Sequence, residues 1–223
     1  MSKLILVATP IGNLDDITRR AVHTLEKADI ILAEDTRKTG ILLKHLGISR
    51  KILPHHAYNE HKYLTSIVQR LREGNTVALV TDAGTPGISD PGYLLVRKCL
   101  DEHIEVECIP GPTAFVPALV LSGLPIDRFC FEGFLPARKG RKKTLEKLAA
   151  ENRTLVFYES PHRLLRTLDD LSTFFGGSRR ISISRELTKI HEETLRGTLD
   201  ELREIFRQHP PRGEFVIVLE GKR

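Results

Sequence analysis

Apolar and polar positions alternate along this chain in two rhythms. Short apolar runs recur at Lys3–Thr9, Asp29–Ala33, Lys51–Pro54, Thr76–Thr81 and Ile104–Ile109, each bounded by turn residues. Between them the spacing becomes helical: Ile17, Ala21, Val22 and Leu25 make one stripe within 17–28, and similar stripes fall at Thr39–Leu46, Glu60–Glu73 and Tyr93–Glu102. The order is strand, helix, strand throughout. Strands separated by helices run parallel with right-handed crossovers, so the pattern predicts one doubly wound sheet with helices on both faces.

After Ile109-Pro110-Gly111-Pro112 the rhythm changes. Helices are expected at Thr113–Ser122, Lys142–Ala150, Pro161–Phe174 and Leu199–Gln208. Strands are expected at Phe129–Glu132, Thr154–Tyr158, Ile181–Arg185, Glu193–Gly197 and Glu214–Leu219. Two of these strands follow each other without a helix, which predicts antiparallel pairs in a mixed sheet. The chain therefore reads as α/β in two domains, an N-terminal parallel doubly wound sheet over 1–111 and a C-terminal mixed α/β sheet over 112–223.

Composition adds little except through charge. The chain has 223 residues, 40% hydrophobic and 28% charged, an ordinary globular balance. No apolar run approaches the roughly 18 residues of a membrane span, and MSKLILVATP lacks a signal-peptide pattern. The cysteines, Cys99, Cys108 and Cys130, are odd in number and suit neither a disulfide framework nor a Cys-x-x-Cys site, so a cytoplasmic protein is expected. Residues 1–112 hold 14 basic and 14 acidic side chains, whereas 113–223 hold 20 and 15, so the surplus of +5 lies in the second half. Such a one-sided excess suggests a polyanionic partner.

Ligands of an open parallel sheet bind beyond the carboxyl ends of its strands. The residues there are Thr9-Pro10-Ile11-Gly12-Asn13, Glu34-Asp35-Thr36-Arg37, His55-His56-Ala57-Tyr58-Asn59-Glu60, Asp82 to Gly92, and Pro110-Gly111-Pro112-Thr113. Asp82 to Gly92 carries three glycines and two prolines among its residues, the composition of a rigid loop that presents its own amides and carbonyls to a small polar ligand. P-loop, dinucleotide and nucleophile-elbow signatures are all missing from the sequence. His55, His56 and His61 lack a nearby cysteine or placed carboxylates, so no metal site is expected.

In the second half, Pro136 to Lys143 holds five cations and no acid, namely Arg138, Lys139, Arg141, Lys142 and Lys143. This suits a flexible arm that grips RNA phosphates, with Arg179 and Arg180 extending the patch. Tyr158-Glu159-Ser160-Pro161-His162-Arg163 ends a strand and starts a helix, where Ser160 can cap and Pro161 fits the first turn; capping does not explain why Tyr158, Glu159, His162 and Arg163 gather there, and the segment is expected to belong to a site.

The strings ATPIGNLDDIT, AEDTRKT, VTDAGTPGISDPG, IPGPTA, FYESPHR, RELTK and GEFVIVLEG resemble the ribose 2′-O-methyltransferases of small-subunit ribosomal RNA, within the tetrapyrrole methylase superfamily. The likeness runs from about Leu4 to Gly221. It implies a two-domain homodimer that binds S-adenosylmethionine, folded between its domains, and that acts on small-subunit ribosomal RNA or the assembled subunit, at a cytidine near the decoding centre. Carried over, the cofactor contacts fall on Pro10, Gly84, Thr85, Ile88, Asp90, Thr113 and Ala114, and on Tyr158, Leu187 and Gly213. Superfamily members that methylate porphyrin-like rings carry a G-x-G-P-G type turn where this chain has Thr9 to Asn13, a departure that favours the RNA branch. A precorrin or uroporphyrinogen methyltransferase and a non-catalytic assembly factor are the alternatives.

Methyl transfer from a sulfonium is an in-line displacement, so the protein must mainly align the acceptor oxygen and exclude water. Asp35 or Glu34 is placed to take the hydroxyl proton, and Arg37, Lys38, His162, Arg163 and Lys189 to hold phosphate or oxyanion. The competing role for Asp35 is capping the helix that follows it.

Overall fold

The computed structural model describes residues 2–56 and 60–222, without the side chain of Lys62. The chain separates into two compact units, Met1–Thr113 and Ala114–Arg223. Among the described residues no helix is long and apolar enough to cross a membrane.

The first unit runs β1 (Lys3–Val7), α1 (Arg19–Lys27), β2 (Ile30–Ala33), α2 (Thr36–His45), β3 (Lys51–Pro54), α3 (Glu60–Arg72), β4 (Val77–Val80), α4 (Tyr93–Asp101) and β5 (Glu105–Ile109). Its five strands are parallel in the order β3-β2-β4-β1-β5. The period-2 alternation sorts side chains to the two faces. Leu4, Leu6, Leu32 and Leu79 pack against Leu71 of α3 and Leu95 of α4, whereas Ile5, Val7, Ile31 and Val80 pack against Leu25 of α1 and Leu43 of α2. Each fully buried Leu or Ile contributes about 1.5–3 kcal/mol, so one layer of strands between two pairs of helices holds this unit together. The start of α1 is set by Thr18, whose side chain accepts the Ala21 amide. A single 3-10 turn at Leu14–Asp16, capped by Asn13, fills the connection after β1.

The second unit comprises α5 (Phe115–Ser122), β6 (Phe129–Phe134), α6 (Arg141–Leu148), β7 (Thr154–Glu159), α7 (Leu164–Phe175), β8 (Arg180–Arg185), β9 (Glu193–Thr198), α8 (Leu199–Gln208) and β10 (Phe215–Leu219). The sheet order is β6-β7-β10-β8-β9, with β6 parallel to β7 and the other pairs antiparallel. One core dominates, in which Phe157, Ile183, Phe215 and Ile217 meet Leu145 of α6, Leu168 of α7 and Leu202 of α8. Helix α5 packs on the sheet as well, against β7, β8, β9 and β10.

Helix starts move by a few residues from the expected positions. Helix α2 begins at Thr36 because Asp35 caps it. Helix α7 begins at Leu164: Ser160 accepts the amides of Arg163 and Leu164 through its carbonyl, and residues 161–163 form a turn, so Ser160 is not the side-chain cap.

Candidate functional site

In the first unit β1 and β4 lie side by side, yet β1 connects through α1 on one face and β4 through α4 on the other. Their ends form the crevice where open α/β sheets bind ligands. Two backbone hydrogen bonds latch that crevice, Thr9 N to Gly84 O and Gly84 N to Thr9 O, both 2.9 Å. The Thr9 hydroxyl donates to Thr81 O at 3.0 Å, and the Thr81 hydroxyl donates to Glu34 Oε2 at 3.0 Å. Thr85 Oγ1 lies 3.1 Å from Pro112 O and 2.7 Å from Thr113 Oγ1. The loops after β1, β2, β4 and β5 are thus joined into one rim.

Two glycines in this rim are sterically required. Gly111 passes so close to Ala8 that a Cβ would stand 2.8 Å from the Ala8 methyl, and Gly92 takes φ 138° with Leu79 3.0 Å from where a side chain would begin. Beside the latch lies a cleft of about 110 Å³, lined by Thr9, Pro10, Lys38, Leu42, Thr81 and Asp82 among others.

Charge in the rim is unevenly distributed. Burial pushes the Asp90 carboxyl up to about 6, with the negative charges of Glu34 and Asp82 adding to the rise against a hydrogen bond from Thr81. Asp82 accepts the Asp35 amide at 3.0 Å and pairs with Lys38 Nζ at 2.7 Å. Asp35 corrects an expectation. Its Oδ1 accepts the Arg37 amide at 2.9 Å as the cap of α2, and Arg37 grips both carboxylate oxygens, at 3.0 and 2.7 Å. The Arg37 guanidinium and amide hold that carboxyl far below the usual carboxylate range, so it is a poor proton acceptor, and Arg37 is committed to it.

Of the residues carried over from the resemblance, Pro10, Gly84, Thr85, Ile88, Asp90 and Thr113 all stand on this rim, and Ala114 is the first residue of the second unit. Ile88 is exposed. The loop from His55 holds Glu60 and His55, both buried, while Ala57, Tyr58 and Asn59 lie outside the described residues. Among the described residues no group of three or more metal-ligating side chains converges.

The second unit brings Tyr158, Leu187 and Gly213 to one end of its sheet, since Phe215 pairs with Glu159 on one side and Arg185 on the other. Glu159, only 2% exposed, is the organiser of this end. It accepts from Ser160 N at 2.8 Å, Arg163 Nε at 2.8 Å and Thr167 Oγ1 at 2.7 Å. Thr167 Oγ1 in turn accepts from Arg141 at 2.9 Å, and Arg141 also donates to Asp170 at 2.7 Å and to Pro136 O at 3.2 Å.

Four expectations are corrected here. Arg141 is buried and fully engaged, so it anchors α6 and does not meet a partner; Arg138, Lys139, Lys142 and Lys143 remain exposed around it. The segment is a short turn leading straight into α6 and not a flexible arm. Arg179 and Arg180 sit at the start of β8, at the opposite end of the sheet from this turn, and Arg179 donates to Glu220 O and Phe175 O. Lys189 is clasped by Glu186 and Glu214, each at 2.9 Å. Burial alone would lower its pKa, but the two carboxylates raise it, so its charge persists and is already neutralised. His162 is exposed.

The sequence names Glu60 and Glu159 only as members of candidate loops, and it passes over Thr167 and the exposed ring of Phe134. Glu159 left a signal, a carboxylate closing an apolar strand with Arg163 four residues on.

Comparison with known proteins follows the same lines. Residues 3–203 match the family model of the Tetrapyrrole (Corrin/Porphyrin) Methylases. The Ribosomal RNA small subunit methyltransferase I of Thermotoga maritima is 50% identical over 222 residues, covering 100% of both chains. The chain belongs to the small-subunit ribosomal RNA methyltransferase I family, within the tetrapyrrole methylases. Family members from Synechocystis and Escherichia coli O157:H7 are 51% and 49% identical, over 99% and 98% of this chain and 80% and 78% of theirs. Among solved structures, the methyltransferase CobJ has TM-score 0.72 at 20% identity over 99% of this chain and 95% of its own. Uroporphyrin-III C-methyl transferase from Thermus thermophilus, complexed with S-adenyl homocysteine, has TM-score 0.69 at 19% identity over 98% and 97%. These distant likenesses concern the fold.

Proposed function

We propose that this protein methylates small-subunit ribosomal RNA with S-adenosylmethionine as donor, at the 2′-hydroxyl of a cytidine ribose near the decoding centre. The observation that carries the reading is full-length identity of about half to proteins named for that RNA. The structural neighbour complexed with S-adenyl homocysteine supports the choice of donor.

The rim of the first unit suits such a cofactor chemically. S-adenosylmethionine carries a net positive charge, and Glu34, Asp82 and Asp90 concentrate negative charge beside the latched crevice. When bound, the cofactor supplies an activated methyl group on a sulfonium. The chain's own contribution is alignment: the Thr9–Gly84 latch, the Thr81–Glu34 bond and the Thr85–Thr113 contact hold four loops at fixed distances, and Asp90 offers its carboxylate to a cation. Pro10, Gly84, Thr85, Ile88, Asp90 and Thr113 are proposed to hold the cofactor, with Ala114, Tyr158, Leu187 and Gly213 as the contribution of the second unit. Arg138, Lys139, Lys142 and Lys143, exposed and close in sequence, are proposed to meet RNA phosphates. A homodimer is proposed too, supported by the exposed apolar side chains Val116, Val120 and Leu121 of α5.

The test is transfer of labelled methyl to small ribosomal subunits from a strain lacking the activity, mapped by resistance of the modified linkage to alkali. One protected ribose supports the reading. No incorporation by a preparation shown to bind the cofactor sinks it and turns attention to tetrapyrrole substrates.

A further inference from the structure

Phe134 closes β6 at the end of the sheet that holds Tyr158, yet 52% of it faces solvent. It terminates a continuous row of rings. Phe115 stacks on Phe131 with centroids 4.7 Å apart, Phe131 meets Tyr158 edge-on at 5.0 Å, and Tyr158 meets Phe134 edge-on at 5.7 Å. The inner members fix the position of the outermost ring, since aromatic pairs at these separations add to the stability that burial supplies. The Arg163 guanidinium stands 5.9 Å from the Phe134 centroid. Arg163 is itself held by Glu159 at 2.8 Å and Leu135 O at 3.3 Å, so ring and cation are positioned together.

Immediately beyond Phe134 the chain turns inward at buried Leu135 and then presents Arg138, Lys139, Lys142 and Lys143 to solvent. An anchored, exposed ring beside a fixed guanidinium, followed within ten residues by exposed cations, is the arrangement that single-stranded nucleic acid binders use. Cations there track the backbone while the ring receives a base. Resting on the RNA reading above, we propose that Phe134 is a stacking platform for an unpaired nucleobase of the RNA segment that the cations hold. Single-stranded RNA is recognised through bases splayed out of their stack, and an aromatic face repays part of that cost.

The experiment uses the full chain and a short single-stranded oligoribonucleotide carrying 2-aminopurine, whose fluorescence is quenched on stacking. Wild type and Phe134→Tyr are expected to bind with quenching. Phe134→Leu and Phe134→Ala are expected to bind about 5- to 100-fold more weakly with the quenching lost. Cofactor affinity and the salt slope of binding should stay unchanged, because the ring is uncharged and half exposed, and the unfolding midpoint should fall only slightly, by the lost contact with Tyr158. Equal affinity and quenching in Phe134→Ala overturn the platform, as does full function in Phe134→Leu, which keeps apolar contact without a π face. A parallel loss of cofactor affinity makes the ring a cofactor contact and also overturns it. If the wild type fails to bind the oligonucleotide, the RNA reading itself is what fails, and methyl incorporation into ribosomal subunits separates that case.

Discussion

Glu60 Oε1 accepts the amide of Gly92 at 3.1 Å, across 32 residues of chain and out of contact with water. This bond ties the first turn of α3 to the far end of the Asp82–Gly92 loop. His55 lies beside it, with Nε2 3.7 Å from the same oxygen. Glu60→Ala leaves the Gly92 amide without an acceptor, a cost of about 1–3 kcal/mol. The expected result is a lower unfolding midpoint and several-fold weaker S-adenosylmethionine binding by calorimetry, with Glu60→Gln recovering most of both. Unchanged cofactor affinity in Glu60→Ala would show that the loop needs no such tether.

At Asp90 the stability of the fold runs against the cofactor-binding role proposed for it. Its carboxyl is raised from 3.8 to about 6 in the folded protein, so between those values the native state holds more protons than the unfolded chain. Stability from this group is complete below about pH 4 and falls by about 1–3 kcal/mol as pH rises through 6. Asp90→Asn should remove that fall, unfolding at higher urea concentration than wild type at pH 7.5. The same substitution should abolish methyl transfer while sparing RNA binding. A wild-type level of methylation in the variant would remove Asp90 from the cofactor loop.

Asp35→Asn tests the capping role directly. Asparagine caps helices about as well as aspartate, so the loss of stability should stay within about 1 kcal/mol. Turnover should drop less than tenfold and keep its pH profile. A fall of about 10²-fold or more with an altered profile would restore Asp35 as the proton acceptor.

Neighbouring cations should part company. Arg141→Ala leaves Asp170 and Thr167 without their buried partner and is expected to cost about 2–4 kcal/mol in urea unfolding. Lys142→Gln and Lys143→Gln should leave stability within about 0.5 kcal/mol and each flatten the logarithmic salt dependence of RNA binding by about 0.7–0.9. Equal stability across all three variants would contradict the anchoring of α6 by Arg141.

That contrast shows where the sequence is legible. Alternating side chains such as Leu4 and Leu6 against Ile5 and Val7 reveal the strands because each face needs its own apolar cover. A run of five cations reads as one exposed patch until its helical phase is considered. Arg141, Leu145 and Leu148 recur at i, i+4 and i+7, and all three are buried on that face of α6. The resemblance to known strings locates the rim residues, and the parallel topology explains why they gather. It does not reveal the Glu60–Gly92 bond or the chain of acceptors from Glu159 to Asp170, which join residues far apart in sequence through side chains that local pattern leaves unspecified.

The central strand of the second sheet is also the last of its five to be made. Until residues 215–219 leave the ribosome, β6 and β7 can pair only with each other, β8 and β9 likewise, and the facing edges of β7 and β8 lack the strand that joins them. The first sheet, complete at residue 109, suffers no such wait. During synthesis one half can fold while the other remains in two pieces, so a nascent chain halted before Phe215 exposes unpaired strand edges that invite chaperones or proteases.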